Sequence, residues 1–264
     1  MPLAKNDIIT LEITALTNDG SGVGHYKEDC SDGRGMAVFV PLTAVGDVIS
    51  CRVVKVLKSY AYGRLEKLLT ASPDRVSDDC PVYAKCGGCC FRHISYEAEL
   101  RAKQGFVQDA FGRIGGLSPE FLPIKGSQSP EGYRNKLQMP VARLDGKTVC
   151  GFFSERSHRV IPAGKCALQP EIFAEITQFV TEQADRLRIS VYNEERHEGV
   201  LRHIYLRCGH YSGEICLCLV ARRRVPEFEK LARAAAERFP QITGVVININ
   251  RERTNVILGD EEQV

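Results

Sequence analysis

The sequence predicts a small β-barrel of OB type followed by an α+β domain with an antiparallel sheet. Residues 1–70 contain short apolar and β-branched runs separated by turn signals, which is typical of a barrel of short strands. From Tyr133 onward, strand-like and helix-like patterns are mixed, and short connections between adjacent strands favour antiparallel pairing with helices on one side. The chain of 264 residues is long enough for about two domains.

Four strands are predicted in the barrel: Ile8–Leu16, Met36–Val40, Asp47–Leu57 and Tyr60–Leu68. Apolar and polar residues alternate over Ser50–Val56, the period-two pattern of a half-buried strand. A turn is predicted over Asn18–His25, which carries three glycines at alternate positions. A phosphate-binding loop would need a helix directly after these glycines, and none is predicted, so a tight hairpin connection is the better interpretation.

A polar linker over residues 71–79 predicts a domain boundary. A helix is predicted over Ser95–Ile114, because Ser95 can cap it and apolar residues follow at helical spacing. The later predicted strands are Lys136–Arg143, Val149–Phe153, His158–Ile161, Val200–Arg207, Glu214–Ala221, Gly244–Asn250 and Thr254–Leu258. The later predicted helices are Pro170–Leu187 and Pro226–Arg238.

Charge and hydropathy exclude several classes of protein. The net charge is +2, from 35 basic and 33 acidic residues, so any nucleic-acid contact must come from local basic patches. No run approaches the ~20 apolar residues of a membrane helix, and the N-terminal residues lack the apolar core of a signal peptide. These features predict a cytoplasmic protein without a membrane partner.

The 11 cysteines are unusual for such a chain. An odd number, scattered through a sequence without a predicted leader, fits a disulfide framework poorly. Closely spaced cysteines in a reducing compartment more often bind a metal or a cluster. Three others, Cys208, Cys216 and Cys218, lie in an apolar stretch and are interpreted as small buried residues.

The segment CPVYAKCGGCC carries the strongest chemical signal. Cys80, Cys86 and Cys89 are spaced C-x5-C-x2-C, and the two glycines before Cys89 let the backbone curl toward one centre. A fourth thiolate would complete a four-cysteine site, and Cys90 and Cys166 are the candidates. Cys90 adjoins Cys89, and neighbouring side chains tend to point apart, whereas Cys166 lies in a loop just before a predicted helix.

Three local ligands and one remote ligand favour an iron–sulfur cluster. Structural zinc sites usually show two tight cysteine pairs instead. On spacing alone, a zinc site and a segment that binds no metal both remain alternatives.

An ordered series of motifs resembles the bacterial 23S ribosomal RNA uracil-5-methyltransferases and the related tRNA enzymes. The motifs are PDRV at 73–76, CPVYAKCGGC at 80–89, HISYEAELRAKQ at 93–104, YRNK at 133–136, GFF and RSHRVI within 151–161, Cys166, VLRHIYLR at 200–207 and TGVVININ at 243–250. The N-terminal strands resemble the TRAM domain, an OB-type RNA-binding barrel. The resemblance extends over essentially the whole chain.

The resemblance implies a 4Fe–4S cluster held by Cys80, Cys86, Cys89 and Cys166, with Cys90 as a bystander. It implies a TRAM barrel over 1–70 and a central α+β domain over 71–93 and 117–259. It also implies that the helix within 94–116 packs on a C-terminal catalytic domain. That Rossmann-like domain, with the S-adenosylmethionine site and the catalytic cysteine and base, is expected to be missing here, so this chain alone is expected to be inactive.

In the complete enzymes of this family, a cysteine thiolate adds to C6 of uracil and a base removes the C5 proton after methyl transfer. The present residues are expected to supply RNA capture only. The candidate RNA-binding residues are Arg92, Tyr133, Arg134, Lys136 and Arg159, with ribosomal RNA as the expected partner rather than tRNA. Arg156, His158 and the Phe152–Phe153 pair are further candidates.

Two other classes of protein remain as alternatives. One is a stand-alone RNA-binding module with a structural zinc or iron–sulfur site. The other is a small electron-transfer protein, but a barrel of this kind would have no function in such a protein.

Overall fold

The computed structural model describes residues 3–27, 35–77, 79–155 and 157–264, and these ranges contain twelve β-strands and three α-helices. They divide into two compact units. The first comprises residues up to Ala84 together with Cys89–Ser127, and the second comprises Lys85–Gly88 together with Gln128–Val264. Among the helices described, none is both long and apolar enough to cross a membrane.

Five of the described strands close into a barrel in the first unit, in the order β1-β2-β3-β5-β4 with β4 returning to β1. They are β1 (Ile8–Leu16), β2 (Ser21–Tyr26), β3 (Met36–Pro41), β4 (Val48–Val56) and β5 (Tyr60–Thr70). Residues alternate between core and solvent, as the strand period requires. The side chains that fill the barrel are Ile9, Leu11, Ile13, Val38, Val40, Ile49, Cys51, Val53 and Ala61. Each fully buried aliphatic side chain stabilises the barrel by about 1.5–3 kcal/mol.

The predicted turn over Asn18–His25 is too long, because its second half is strand β2. Glycine is required there for close approach: a Cβ on Gly22 would collide with the Thr43 side chain. Gly20 has a φ of +86° and makes the turn itself. The prediction of a hairpin rather than a phosphate loop is confirmed, since a strand and not a helix follows.

The first compact unit extends beyond the predicted boundary after residue 70. Asp47, whose side chain is fully buried, accepts hydrogen bonds from the Ser72 backbone N–H (2.9 Å) and the Arg75 guanidinium (2.7 Å). A small apolar cluster of Ala44, Ile94 and Ala98 continues this contact. These polar and apolar contacts hold the linker and the following helix against the barrel.

Helix α1 (Tyr96–Asp109) begins as predicted. The Ser95 side chain accepts a hydrogen bond from the Ala98 backbone N–H at 3.2 Å, which caps the helix. A π-helical turn continues α1 over Ala110–Ile114, and Gly115 and Gly116 follow it. The helix prediction over Ser95–Ile114 is therefore confirmed, with a change of helical type in its last turn.

Seven of the described strands form one sheet in the second unit, in the order β12-β11-β10-β9-β6-β7-β8. The strands are β6 (Lys136–Leu144), β7 (Lys147–Phe153), β8 (Val160–Pro162), β9 (Leu201–Cys208), β10 (Ile215–Ala221), β11 (Ile242–Ile249) and β12 (Glu261–Gln263). Helix α2 (Glu171–Arg186) packs on β7, and α3 (Glu227–Arg238) packs on β11. The two helices meet where Phe179 and Phe239 stack edge to face, with ring centroids 5.5 Å apart.

The prediction of a wholly antiparallel sheet is wrong at one pair. β10 and β11 run parallel, with α3 as the connection between them, and the other neighbours are antiparallel. A parallel pair needs a crossover of a dozen or more residues, which α3 and its flanking turns supply. The α+β class is otherwise as predicted.

The predicted strand over Thr254–Leu258 is also wrong. The Asn250 side-chain amide donates to the carbonyls of Val256 (2.7 Å) and Ile257 (3.1 Å), so these groups are satisfied without a strand partner. Asn248 and Gly259 exchange two hydrogen bonds of 2.9 and 2.8 Å. The segment is therefore a loop held in place by these side-chain hydrogen bonds, and the short strand β12 follows it.

Candidate functional site

The cysteine-rich segment is fixed to the barrel by a buried tyrosine. The Tyr83 hydroxyl lies 3.0 Å from the Cys90 carbonyl and 2.6 Å from His93 Nδ1. His93 Nε2 lies 3.0 Å from the Thr43 carbonyl, which can only accept, so this nitrogen carries the proton. Tyr83 and the segment from Cys90 to His93 are thereby attached to the first unit.

Two of the four predicted ligands, Cys80 and Cys89, belong to the first unit, and Cys86 and Cys166 belong to the second. All four are half-buried. Within the second unit, Cys86 forms an isolated antiparallel bridge with Ser154, directly after β7. Cys166 follows β8 in the chain, and its carbonyl accepts a hydrogen bond from the Gln169 N–H at 3.0 Å.

A glycine keeps the space beside the Cys86 sulfur open. A Cβ placed on Gly88 would lie 3.3 Å from Cys86 Sγ, and it would meet no other atom within 4 Å. A side chain there would crowd a group bound to the sulfur. This observation fits the interpretation that the two glycines serve a site at Cys86.

Cys90 has a different environment from its neighbours. It is exposed, and its Cβ and carbonyl lie against the turn at Gly20, where an added Cβ would come within 2.7 Å of both. This packing against the β1–β2 turn accounts for Cys90 without a ligand role.

Within the described ranges of the chain, no three His, Cys, Asp or Glu side chains are already grouped as a metal site. The four-cysteine ligand set therefore stays a prediction from spacing and resemblance.

The candidate RNA-binding residues differ in how available their side chains are. Arg92 is 15% exposed and donates two hydrogen bonds of 2.7 Å to the Asp79 carboxylate. These hydrogen bonds hold the pKa of Asp79 below its usual range. Arg92 thus has a partner within the protein that accounts for its position.

The YRNK segment lies at the start of β6. The Tyr133 ring is 60% exposed, and the Arg134 backbone N–H donates to the Leu168 carbonyl at 2.9 Å. Lys136 is exposed and lies directly opposite Arg207 in the β6–β9 pairing. Tyr133, Lys136 and Arg207 are therefore available at the surface of the second unit.

Arg159 lies in the connection between β7 and β8 and is exposed. Beside it, the Phe153 and His158 rings stack with centroids 5.1 Å apart, and His158 Nδ1 is 2.7 Å from the Glu194 carboxylate. Arg156 lies outside the described residues. This connection adjoins the Cys86 bridge, because Ser154 belongs to both.

The sequence patterns did not single out three aromatic residues of the barrel. Phe39, Tyr60 and Tyr62 form a cluster with ring centroids 5.6–5.9 Å apart. The available signal was their alternation with the buried Val38, Val40 and Ala61, which places the rings outside the barrel.

Residues 3–65 match the family model of the TRAM domain. Over its whole length the chain is 41% identical to a protein of Halalkalibacterium halodurans, and 39% identical to one of Bacillus cereus, each described as an uncharacterized RNA methyltransferase. It covers 56% of both proteins. The structure of the Pyrococcus abyssi tRNA (uracil-54, C5)-methyltransferase with S-adenosyl-L-homocysteine matches 96% of this chain and 55% of that one, at 25% identity and a TM-score of 0.66.

The barrel, the α+β unit and these matches together define a protein with a TRAM-type barrel that is similar to RNA methyltransferases. More narrowly, the chain is similar over its full length to RNA methyltransferases, and over 96% of its length to an RNA methyltransferase of the uracil-5 type. The resemblance seen in the sequence motifs is confirmed. The chain spans about half the length of the curated relatives it matches.

Proposed function

We propose that this chain is the RNA-binding, cluster-bearing half of an S-adenosylmethionine-dependent RNA (uracil-C5)-methyltransferase that acts on 23S ribosomal RNA. The observation that carries this proposal is similarity along the whole chain to RNA methyltransferases, together with a TRAM barrel at one end. The ordered motifs support ribosomal RNA as the substrate. The Pyrococcus enzyme, which acts on a tRNA uracil, makes tRNA the specific competitor.

We propose that the methyl-transferring residues lie in the part of the relatives that this chain does not match. The complex of the Pyrococcus enzyme with S-adenosyl-L-homocysteine supports S-adenosylmethionine as the methyl donor. Methylation at C5 requires the target uracil to leave its base stack. The units described here then serve to bind and position the RNA around that base.

The end of α1 supports a contact with the unmatched part of the relatives. Large apolar side chains are exposed there in close succession: Val107, Phe111, Ile114, Leu117, Leu122 and Ile124. The Gln104 side chain bonds to the backbone at Leu122 and Ile124, which holds the returning segment beside the helix. Such a patch marks an interaction surface. The proposed occupant is the catalytic portion of the longer relatives.

The residues present fit a 4Fe–4S cluster by their chemistry. Four half-buried thiols supply the ligand type that such clusters require. Gly88 leaves the space beside Cys86 Sγ open. Cys80, Cys86, Cys89 and Cys166 would hold the cluster, whose chemistry when bound is either electron transfer or structural cross-linking.

A structural role is the better interpretation, because methyl transfer to uracil C5 needs no external electron. In that role the cluster ties the segment at Cys86 to the loop at Cys166. Cys86 bridges Ser154 just after β7, in the connection that carries the exposed Arg159, and Cys166 follows β8 in the chain. The cluster would therefore shape a surface that faces RNA.

The function is tested with the whole chain and two transcribed RNAs. One is a 23S ribosomal RNA fragment whose loops contain many uridines, and the other is an elongator tRNA. Binding is measured by competition at several salt concentrations, since phosphate contacts weaken as salt rises. Each RNA is also incubated with the chain and radiolabelled S-adenosylmethionine. We expect tighter binding of the ribosomal fragment and no methyl incorporation.

Each outcome decides a separate part of the proposal. Equal or tighter binding of tRNA would contradict the ribosomal substrate. Methyl incorporation by this chain alone would contradict the assignment of catalysis to the unmatched portion. Failure to bind any RNA would overturn the proposed function as a whole.

A further inference from the structure

The outer face of the barrel carries a compact aromatic cluster. Phe39 on β3 lies beside Tyr62 on β5, because the two residues are direct partners in the β3–β5 pairing. Their ring centroids are 5.9 Å apart, and Tyr60 lies 5.6 Å from each, edge to face. We call Phe39, Tyr60 and Tyr62 the barrel platform.

The barrel platform is not part of the hydrophobic core. Val38, Val40 and Ala61, which alternate with its members, are completely buried inside the barrel. Tyr62 is 43% exposed, and Phe39 and Tyr60 are half-buried. Aromatic pairs across strands stabilise a sheet by roughly 0.2–1 kcal/mol. That stabilisation explains why the rings adjoin each other, but it does not require them to face solvent.

Positive charge lies beside the barrel platform. Lys55 on β4 is the direct partner of Tyr62 on β5, and Lys58 lies in the tight turn that precedes Tyr60. That turn is closed by a hydrogen bond of 2.9 Å from the Leu57 N–H to the Tyr60 carbonyl. Both lysines are exposed. Exposed rings with flanking cations are the combination by which proteins bind single-stranded nucleic acid.

We propose that the barrel platform binds unpaired RNA bases, which stack on its rings while Lys55 and Lys58 contact the adjacent phosphates. This inference rests on the proposed RNA-binding function and specifies the ligand as single-stranded RNA. OB-type barrels offer related faces to oligonucleotides. A-form duplexes keep their bases stacked and hidden, so a duplex of the same sequence cannot use the rings.

The lysines favour RNA over a protein partner as the occupant. An apolar peptide would gain from the rings but not from two exposed ammonium groups, whereas a phosphate backbone is complementary to them. A protein occupant is the competing outcome, and the test below separates the two.

The test uses the full chain and a short single-stranded RNA of mixed sequence that contains 2-aminopurine. The fluorescence of this base is quenched when it stacks. Titrations compare the wild type with Tyr62→Leu, which removes the ring, and with Tyr62→Phe, which retains it. Tyr211→Leu is the matched control, because Tyr211 is 99% exposed and lies in the β9–β10 connection of the other unit. Thermal unfolding verifies that each variant is folded.

We expect Tyr62→Leu to weaken single-strand binding about tenfold and to abolish the stacking signal. Tyr62→Phe and Tyr211→Leu should stay within about twofold of the wild type, and the matching duplex should bind equally to all four proteins. If Tyr62→Leu is folded and binds the single strand as tightly as the wild type, the platform is not an RNA site. A wild-type chain that binds no RNA would instead overturn the proposed function.

Discussion

Cys86 and Cys90 are close in sequence, yet they have different surroundings. Cys86 is half-buried and pairs through its backbone with Ser154, next to the space kept open by Gly88. Cys90 is exposed and packs on the turn at Gly20. The two residues therefore form a matched pair of serine substitutions. One removes a proposed cluster ligand, and the other removes a bystander thiol.

We expect Cys86→Ser to lose bound iron and to lower the thermal stability, because the cluster is proposed to cross-link the chain. Cys90→Ser should keep the iron content and stability of the wild type. Iron analysis and thermal unfolding of both variants, purified without oxygen, make the comparison. A well-folded Cys86→Ser that binds RNA normally would contradict a structural cluster, and equal iron loss in both variants would contradict the ligand assignment.

Asp47 is the buried charge on which the first unit depends. Burial raises the pKa of its carboxyl, but hydrogen bonds from Arg75 and from the backbone at Ala44 and Ser72 outweigh burial and hold the pKa below its usual value. The folded protein therefore binds this proton less readily than the unfolded chain does. The stabilisation is complete above the unfolded pKa of about 4 and is lost as pH falls through the folded pKa.

We expect Asp47→Asn to destabilise the protein by about 3 kcal/mol at neutral pH, because it leaves the Arg75 guanidinium with a weaker partner. The loss should shrink in acid, where the wild-type carboxylate is itself protonated. Urea unfolding monitored by circular dichroism at several pH values measures this difference. A deficit that does not change with pH would show that the charge of Asp47 is not responsible.

His203 makes the stability of the second unit depend on pH as well. Burial, and then the Arg202 charge, lower the pKa of its imidazole to about 4. Within the described part of the chain, His203 Nδ1 has no hydrogen-bond partner. The unfolded chain, with a pKa near 6.5, binds this proton more readily than the folded protein. Stability should therefore fall as pH drops from about 6.5 to about 4.

We expect His203→Gln to reduce the loss of stability over this pH range. A single buried histidine can account for about 3 kcal/mol of that loss. The measurement is the free energy of unfolding of the wild type and His203→Gln across that pH range. Parallel slopes for the wild type and His203→Gln would contradict the assignment.

At the scale of elements, a buried arginine contributes to the conformation of the loop after β11. The buried Arg202 donates to the carbonyls of Asn250 and Glu252, both at 2.7 Å. Its guanidinium also lies 4.4 Å from the centre of the Tyr192 ring. A planar guanidinium can make these contacts together, whereas an ammonium group cannot. The loop therefore owes its conformation to Arg202 as well as to the asparagines before it.

We expect Arg202→Lys to destabilise the loop and to cost about 2 kcal/mol of stability, since buried carbonyls lose charge-assisted hydrogen bonds. Hydrogen exchange should rise over residues 250–259 and stay unchanged in the barrel. Exchange spread evenly over both units would instead indicate global destabilisation.

The elements also show what the sequence could predict. Strand β1 and the Ser95 cap follow from alternation and capping, which are local properties. The β2 strand was missed because its glycines signal a turn, and the close approach of Gly22 to Thr43 arises only in the closed barrel. Residues 254–258 have a strand-like composition, but the side chain of Asn250 satisfies their carbonyls. Tertiary hydrogen bonding overrides propensity there.

In the candidate site, too, local sequence patterns were predictable and contacts made by the fold were not. The ordered motifs pointed to a resemblance to RNA methyltransferases, which the comparisons confirm. The Arg92–Asp79 pair and the barrel platform could not be predicted, because they join residues through the fold. The pairing of Phe39 with Tyr62 depends on a parallel contact between β3 and β5, which no local pattern encodes.

For the whole molecule, the proposed four-cysteine cluster is the most chemically specific feature. The first measurement is an ultraviolet–visible spectrum of the wild-type chain, purified without oxygen, with iron and zinc analysis of the same sample. We expect a broad absorbance near ~400 nm and about four irons per chain. A colourless protein with one zinc per chain would contradict the cluster and favour a stand-alone RNA-binding module with a structural zinc.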